Sequence, residues 1–364
     1  MLYAPEAHEP PTGRRWDAAW VRDAIGAIVA ATDAAYADLW PAEEWDAYSA
    51  EHLPLKNLYC GAAGVVWALA ELRPHAESAL DLAAVAQHVL ERFRSEPDWF
   101  TAAPLPDERS SSLFGGETGV AFVAYKLAPT DELRRRLVEL VDANLANPAN
   151  ELMWGVPGTL LVARALDDTA AVRASEAALR EARDADGLWT QRLYGETFRA
   201  LGPIHGYVGN LAALDEADDG ILRSTAIREG EHVNWPPAPD DLKLRLQWCH
   251  GAPGILATAS AYLDEDLLLG GAQLIWDAGP SDGTEKGAGL CHGTAGNGYG
   301  LLKAFERTRD ELWLERARAF AVHAIEQVQR LPPRHSLFTG GVGAALFAAD
   351  CLDAVPRFPV VDRL

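Results

Sequence analysis

The sequence of 364 residues has little cysteine, little methionine and few positive charges. Four cysteines are too few for a disulfide-stapled scaffold of this length. The formal net charge of −21 argues against binding to nucleic acid or an anionic membrane, because phosphates would be repelled. No long apolar run occurs, and the stretch after Arg14-Arg15 contains acidic residues, so neither a transmembrane helix nor a signal peptide is predicted. We therefore expect a cytoplasmic protein without a membrane span.

What the sequence does have is a repeated Gly-x-x-Gly motif, each copy followed by an apolar run. The first glycines of the seven copies are Gly61, Gly116, Gly155, Gly206, Gly251, Gly293 and Gly340. They lie 39 to 55 residues apart, a spacing typical of a helical repeat. Apolar stripes at helical spacing between the copies predict further helices, for example over residues 81–93 and 312–329.

Each repeat is thus predicted to pair an outer amphipathic helix with an inner helix that begins at the motif. Such a pair needs neighbours to cover its apolar face, and closing seven pairs into a ring buries every inner helix. We expect an all-α protein, an α/α toroid (double α-barrel) of seven inner and seven outer helices, as a single domain over residues 1–364. All seven motifs would then meet at one end of the ring. The repeat alone also allows an open α-solenoid scaffold.

The residues directly before the first glycines carry a chemical signal. Two neighbouring copies read Cys249-His250 and Cys291-His292, and the copy before them has His205 directly before its glycine. Zinc prefers thiolate and imidazole ligands, and a catalytic zinc site keeps three protein ligands with one open position. Cys249, Cys291 and His292 are therefore the predicted metal ligands. Buried structural cysteines are the alternative interpretation.

Two of the copies resemble the motifs of the lanthionine synthetase C-like family. Residues 248–254 read WCHGAPG, similar to the family's WCHGxPG, and residues 291–297 read CHGTAGN, similar to its CHGxxGN. The resemblance runs from about residue 55 to the end of the chain. It implies a double α/α-barrel, zinc held by the two cysteines and the histidine, and addition of a thiol to a dehydroalanine or dehydrobutyrine residue.

The same resemblance implies roles for four further residues. His205 matches a histidine general acid/base, and Arg245 matches an arginine near the metal that would stabilise the enolate oxygen or the substrate carbonyl. Bacterial lantibiotic cyclases have an aspartate at the position of Glu151 and a tyrosine at that of His250. Both departures resemble the branch typified by eukaryotic members, which use glutathione. They make Glu151 and His250 catalytic candidates. The alternative for Glu151 is a carboxylate that only stabilises the start of a helix, and for His250 it is a side chain that hydrogen-bonds to a metal ligand.

The predicted function is therefore zinc-dependent thioether (lanthionine-type) synthesis. The expected partners are a dehydroamino-acid-containing peptide or protein, a thiol such as glutathione or a peptide cysteine, and a separate dehydratase. A non-catalytic zinc- and glutathione-binding adaptor is one alternative. Another is a different α/α-barrel enzyme, such as a glycoside hydrolase, which the sequence disfavours because cysteine and histidine dominate where a carboxylate pair would be needed.

Overall fold

The computed structural model describes residues 1–41, 54–98, 111–193, 195–284 and 286–364. Within these ranges the chain forms fourteen α-helices, and none of them is long and apolar enough to span a membrane. They are α1 (Ala18–Ala35), α2 (Ala62–Glu71), α3 (Leu82–Ser95), α4 (Glu117–Leu127), α5 (Asp131–Asn144), α6 (Val156–Ala165), α7 (Thr169–Glu181), α8 (Tyr207–Leu214), α9 (Gly220–Thr225), α10 (Ala252–Ala259), α11 (Glu265–Ala278), α12 (Thr294–Thr308), α13 (Glu311–Arg330) and α14 (Gly341–Asp353). The even-numbered helices are the inner helices, and each begins directly after the first glycine of a motif.

Two antiparallel hairpins, which the sequence did not predict, interrupt the helical pattern. Strand β1 (Gln191–Leu193) pairs with β2 (Glu196–Phe198), and β3 (Ile227–Glu229) pairs with β4 (His232–Asn234). They lie in the connections before α8 and before α10. Strands of three residues are too short to show an alternating pattern of apolar and polar residues, so sequence periodicity could not reveal them.

Most outer helices start at a side-chain cap and bury a single stripe. The residue before α1, α3, α5, α7, α11 and α13 is an aspartate or threonine whose side chain accepts a backbone N–H of the first turn. Each such bond contributes about 1 kcal/mol to helix stability. The predicted stripes are confirmed: Leu82, Val89 and Phe93 are buried in α3, as are Trp313 and Phe320 in α13.

The inner helices form a closed ring. Each inner helix contacts the next one along the chain, and α14 contacts α2, which joins the last repeat to the first. An inner helix is therefore covered on all sides, and in α14 every residue from 341 to 351 is buried. The predicted α/α toroid is therefore confirmed, and the contact between α14 and α2 excludes the open solenoid.

The second glycine of the motif allows the loop to fold back against its own helix. A Cβ atom on Gly296 would lie less than 3.0 Å from the carbonyl oxygen of Leu290, and Gly254 has the same relation to Trp248. Real Cβ atoms do not approach backbone so closely, so any larger residue would open the loop. This tight return brings the residues before each motif to one end of the ring.

Candidate active site

Backbone hydrogen bonds hold the residues two positions before the first glycines side by side. The Cys249 N–H donates to the Cys291 carbonyl over 3.3 Å, and the Cys291 N–H donates to Phe338 over 2.9 Å. The Phe338 N–H in turn donates to Tyr59 over 3.2 Å, and Tyr59 donates to Phe114 over 3.1 Å. Equivalent positions of neighbouring copies therefore meet around the mouth of the ring, in agreement with the prediction that the motifs lie at one end of it.

Cys249, Cys291 and His292 converge at this mouth. Their sulfur and nitrogen donor atoms all lie within 4.8 Å of one another, and Cys291 Sγ is 3.6 Å from His292 Nε2. Both cysteines are buried and unpaired by disulfides, and the histidine is half-buried. The three residues form a compact donor set that could hold a metal ion.

The two thiols influence each other's ionisation. Burial opposes ionisation of Cys249, but the hydrogen bond with Cys291 and the charge of His292 outweigh it, so the pKa of Cys249 lies well below its usual range. Burial and the neighbouring Cys249 raise the pKa of Cys291 well above its own. Burial lowers the pKa of His292, yet the charge of Cys249 leaves it raised. Ionisation of one thiol therefore opposes ionisation of the other.

A buried carboxylate orients His205. Glu151 is fully buried, and its Oε1 accepts the Trp154 backbone N–H over 2.7 Å. The His205 Nδ1 is 2.7 Å from Glu151 Oε2, and an ionised carboxylate can only accept, so Nδ1 donates and Nε2 is left to exchange a proton. Burial lowers the pKa of His205, but the hydrogen bond and charge of Glu151 raise it above its ordinary value.

His250 adjoins both the cysteine cluster and this ion pair. Its ring stacks on that of His205 at a centroid distance of 6.2 Å, and Cys249 precedes it in the chain. Burial lowers the pKa of His250, and the charges of His205 and Arg245 lower it further, which together outweigh the opposing charge of Cys249. Its Nδ1 has no hydrogen-bond partner within the described ranges. His250 is therefore a neutral imidazole at the centre of the candidate site.

Arg245 is close enough for its charge to act on His250, and its loop is fixed by one buried asparagine. Asn234 Nδ2 donates to the Arg245 carbonyl over 3.0 Å, and Asn234 Oδ1 accepts the N–H of Ala252 at the start of α10 over 2.7 Å. No carboxylate in the described part of the chain pairs with the Arg245 guanidinium. All seven predicted site residues thus lie in one region.

The sequence interpretation missed two residues next to the cysteines. Gln247 Nε2 donates to Cys249 Sγ over 2.9 Å, and burial together with the charge of the nearby Cys291 holds the pKa of the Tyr59 phenol well above its usual range. Tyr59 carried a usable signal, because it occupies the same pre-glycine position as the two cysteines. Cys60, which directly precedes the first glycine of the first copy, is buried, and its N–H donates to Asn57 Oδ1 over 2.9 Å.

Comparison with known proteins identifies the family. A family model described as "Lanthionine synthetase C-like protein" matches residues 55–362, and the chain therefore belongs to this family. It is 36% identical over 141 residues to "Glutathione S-transferase LANCL1" of Danio rerio, a match that covers 35% of this chain and 34% of that protein. It is 32% identical over 144 residues to "LanC-like protein GCL1" of Arabidopsis thaliana, covering 35% of this chain and 32% of that protein.

Both matches thus span about a third of the length of these curated relatives. Among solved structures, the chain is similar to "Nisin cyclase", with a TM-score of 0.56 and 14% sequence identity, over 94% of this chain and 97% of that one. At this identity the likeness concerns the fold, and it agrees with the α/α-barrel described above.

Proposed function

We propose that this protein is a zinc-dependent enzyme that adds a thiol to dehydroalanine or dehydrobutyrine residues. The observation that carries the proposal is a soft donor set beside a carboxylate–imidazole pair. Cys249, Cys291 and His292 offer their donor atoms within 4.8 Å of one another, and the bond between Glu151 and His205 lies next to them. Such a combination suits metal activation of a thiol together with proton transfer.

The donor chemistry fits zinc. Two sulfurs and one imidazole nitrogen match the ligands that zinc prefers, and three protein ligands leave a fourth position for a substrate. The described ranges contain one other group of side chains that could bind a metal, formed by Glu231, His232 and Asp277. These side chains are exposed or half-buried, and two of the three are carboxylates, which favour harder ions than zinc. Zinc, when bound, would supply a Lewis acid that makes a thiol ionise at neutral pH.

The proton-transfer roles follow from the two imidazoles. His250 is neutral because burial lowers its pKa, so it can accept the proton of the thiol. The sulfur bonds to the β-carbon, and the electron pair of the C=C bond moves toward the α-carbon and its carbonyl. His205, whose pKa is raised by Glu151, donates a proton to the α-carbon. Exchange between the rings or with solvent restores both histidines, so the net reaction adds one S–H across one C=C bond.

Arg245 supplies positive charge for the enolate that develops during the addition. Its guanidinium influences His250 electrostatically and is not neutralised by a carboxylate of the described ranges. A preorganised cation near a developing oxyanion lowers the barrier without rearrangement during the reaction. Glu151 acts through His205 by fixing its tautomer and raising its pKa.

The proposed thiol is glutathione. The zebrafish relative is named a glutathione S-transferase, and Glu151 and His250 stand where the sequence resembles the glutathione-using branch of the family. A peptide cysteine is the other thiol with the required chemistry. The electrophile would be a dehydroamino-acid-containing peptide or protein, made by a separate dehydratase in the cytoplasm.

The first experiment is a zinc determination by atomic emission on purified protein, with Cys291→Ala and the matched control Cys351→Ala. Cys351 is a buried cysteine of α14 outside the donor set. We expect about one zinc per chain in wild type and the control, and its loss in Cys291→Ala. Wild type and a His205→Asn variant are then incubated with glutathione and a dehydroalanine peptide, and the adduct is followed by mass spectrometry. Zinc without any adduct would favour the adaptor, and no zinc would remove the basis of the proposal.

A further inference from the structure

The segment that follows α14 turns back into the interior of the ring. Helix α14 begins at the mouth, so residue 354 lies at the opposite end of the ring. Ala354 reverses the chain there in a left-handed conformation, with a φ of 54°. Phe358 is only 1% exposed, and its ring centroid lies 4.9 Å from that of Tyr299 in α12 and 6.4 Å from that of Phe338 at the mouth. The segment 354–363 therefore enters the ring from the end opposite the mouth.

Phe358 also supports the residue that directly precedes a metal-ligand candidate. Its ring stacks on that of Trp248 at a centroid distance of 4.5 Å and an interplanar angle of 10°. Trp248 is fully buried, and the ring of Phe338 lies 5.6 Å from it in a tilted orientation. Trp248 shares a rigid peptide bond with Cys249, so a shift of the indole would move the backbone that carries the cysteine sulfur. Phe358 therefore supports the candidate metal site from inside the ring.

A buried carboxylate anchors the segment on both sides of Phe358. The side chain of Asp350 in α14 is 1% exposed. Its Oδ2 accepts the Tyr299 hydroxyl over 2.9 Å and the Arg357 N–H over 3.1 Å. One guanidinium nitrogen of Arg357 and one of Arg363 each lie 3.3 Å from its Oδ1. A buried charge is tolerated only when it is paired and hydrogen-bonded, so this carboxylate favours a single position of the segment.

A second carboxylate fixes Phe358 itself. Asp362 Oδ2 accepts the Phe358 N–H over 2.9 Å, the Asp362 N–H donates to the Phe358 carbonyl over 3.0 Å, and Lys303 Nζ lies 2.9 Å from Asp362 Oδ2. Within this loop Val360 has a φ of 69°, a left-handed conformation that β-branched residues rarely adopt. Such backbone persists only where the surrounding structure imposes it. The position of Phe358 is therefore set by these anchors and not by the local preference of the segment.

Resting on the proposed function, we propose that Phe358 is a positioning residue that sets the place of Cys249 through Trp248. A functional site needs its groups held within about 0.5 Å of the productive geometry by packed neighbours. The backbone bond to Cys291 holds Cys249 from the side of the next copy, and the stacked rings of Phe358 and Trp248 hold it from inside the ring. Loss of the ring at position 358 should therefore weaken and distort metal binding.

The test compares Phe358→Leu with the matched control Phe93→Leu. Both replace a buried phenylalanine, 1% and 3% exposed, but Phe93 lies in the outer helix α3. Each protein is loaded with Co²⁺, its d–d and sulfur-to-cobalt charge-transfer bands are recorded, and its Zn²⁺ affinity is measured by competition with a chromophoric chelator. We expect Phe358→Leu to change the intensity of the bands and to lower the Zn²⁺ affinity roughly tenfold or more. Phe93→Leu should match wild type in both.

Urea unfolding of the metal-free proteins separates positioning from general destabilisation. Both substitutions remove the same atoms from a packed core, so we expect similar losses of the unfolding midpoint. Phe358→Met is the second variant, because an unbranched thioether keeps more of the side-chain length and packs well on an aromatic ring. It should restore part of the Zn²⁺ affinity, and it replaces Phe358→Leu if that variant folds poorly.

Neither metal readout requires thioether synthesis, so the two proposals fail separately. Wild-type protein that takes up no Co²⁺ contradicts the proposed function and this inference with it. Affinity loss in Phe358→Leu, in a protein that makes no adduct, contradicts the proposed function and supports the inference. Unchanged bands and unchanged affinity in Phe358→Leu overturn the positioning role alone. An equal loss of affinity in Phe93→Leu would also overturn it, because that result indicates general loosening of the ring.

Discussion

Replacing Glu151 with glutamine tests whether a buried carboxylate controls the protonation of His205. Glutamine keeps the shape of the side chain, and its carbonyl oxygen can accept the Trp154 N–H that Glu151 accepts over 2.7 Å. The variant removes the negative charge next to His205 Nδ1. Burial then acts on the imidazole without this opposing charge, so the pKa of His205 falls.

The size of the effect follows from the bond that is lost. A hydrogen bond to a charged group contributes roughly 1.5–3 kcal/mol. Solvent screening is weak here, because the side chain of Glu151 is 0% exposed and that of His205 is 27% exposed. We therefore expect kcat/KM for glutathione addition to a dehydroalanine peptide to fall about 10- to 100-fold above neutral pH. The loss should be smaller in mild acid, where His205 of the variant regains its proton.

The stability of the fold depends on pH in the same direction as the predicted activity. The folded-state pKa of His205 is raised, so the ion pair stabilises the fold fully below the ordinary histidine pKa, and this contribution is lost as pH rises through the folded-state value. The assay is a pH–rate profile of kcat/KM, with zinc content measured in the same samples. Glu176→Gln, which alters only a surface ion-pair group, is the control. An unshifted alkaline limb in Glu151→Gln with normal zinc would refute the reasoning.

Four further substitutions, one of them a control, probe the ring and the site. Asp98→Asn leaves the buried Lys56 without its ion-pair partner, and should lower the free energy of unfolding in urea by about 3–5 kcal/mol. Gly296→Ala should lower the free energy of unfolding by about 1–3 kcal/mol in the same assay, because the added Cβ would overlap the Leu290 carbonyl oxygen. Gly26→Ala is the control: no atom lies within 4 Å of its added Cβ, so it should raise the free energy of unfolding by about 0.5–1 kcal/mol. Arg245→Met should lower kcat about 100-fold in the adduct assay without loss of zinc; an unchanged kcat would remove its proposed role.

The fold was predictable because its signal is local and repeated. Each motif places a glycine directly before an inner helix. Seven such motifs imply a stack of helix pairs, even when it is not known which helices contact one another. The metal-ligand candidates were predictable for a related reason. Cys249 and Cys291 share one offset from their glycines, so any fold that superimposes the copies brings them together.

The contacts between copies could not be predicted in the same way. Glu151 and His205 stand four and one residues before their glycines, so their bond depends on how the third and fourth copies lie side by side. The bond from Gln247 to Cys249 depends on a four-residue turn that the motif does not encode. Both are set by lateral packing and local turn geometry, which spacing along the chain does not report.

The bond between the Cys291 N–H and the Phe338 carbonyl has a consequence for the order of folding. Phe338 belongs to the last copy and is tied by its own N–H to Tyr59 in the first. Cys291 therefore gains its final backbone partner only after the seventh copy has packed against the sixth, and the same residue of the seventh copy also joins the ring to the first. The cysteine pair acquires its full backbone surroundings only when nearly the whole polypeptide is present.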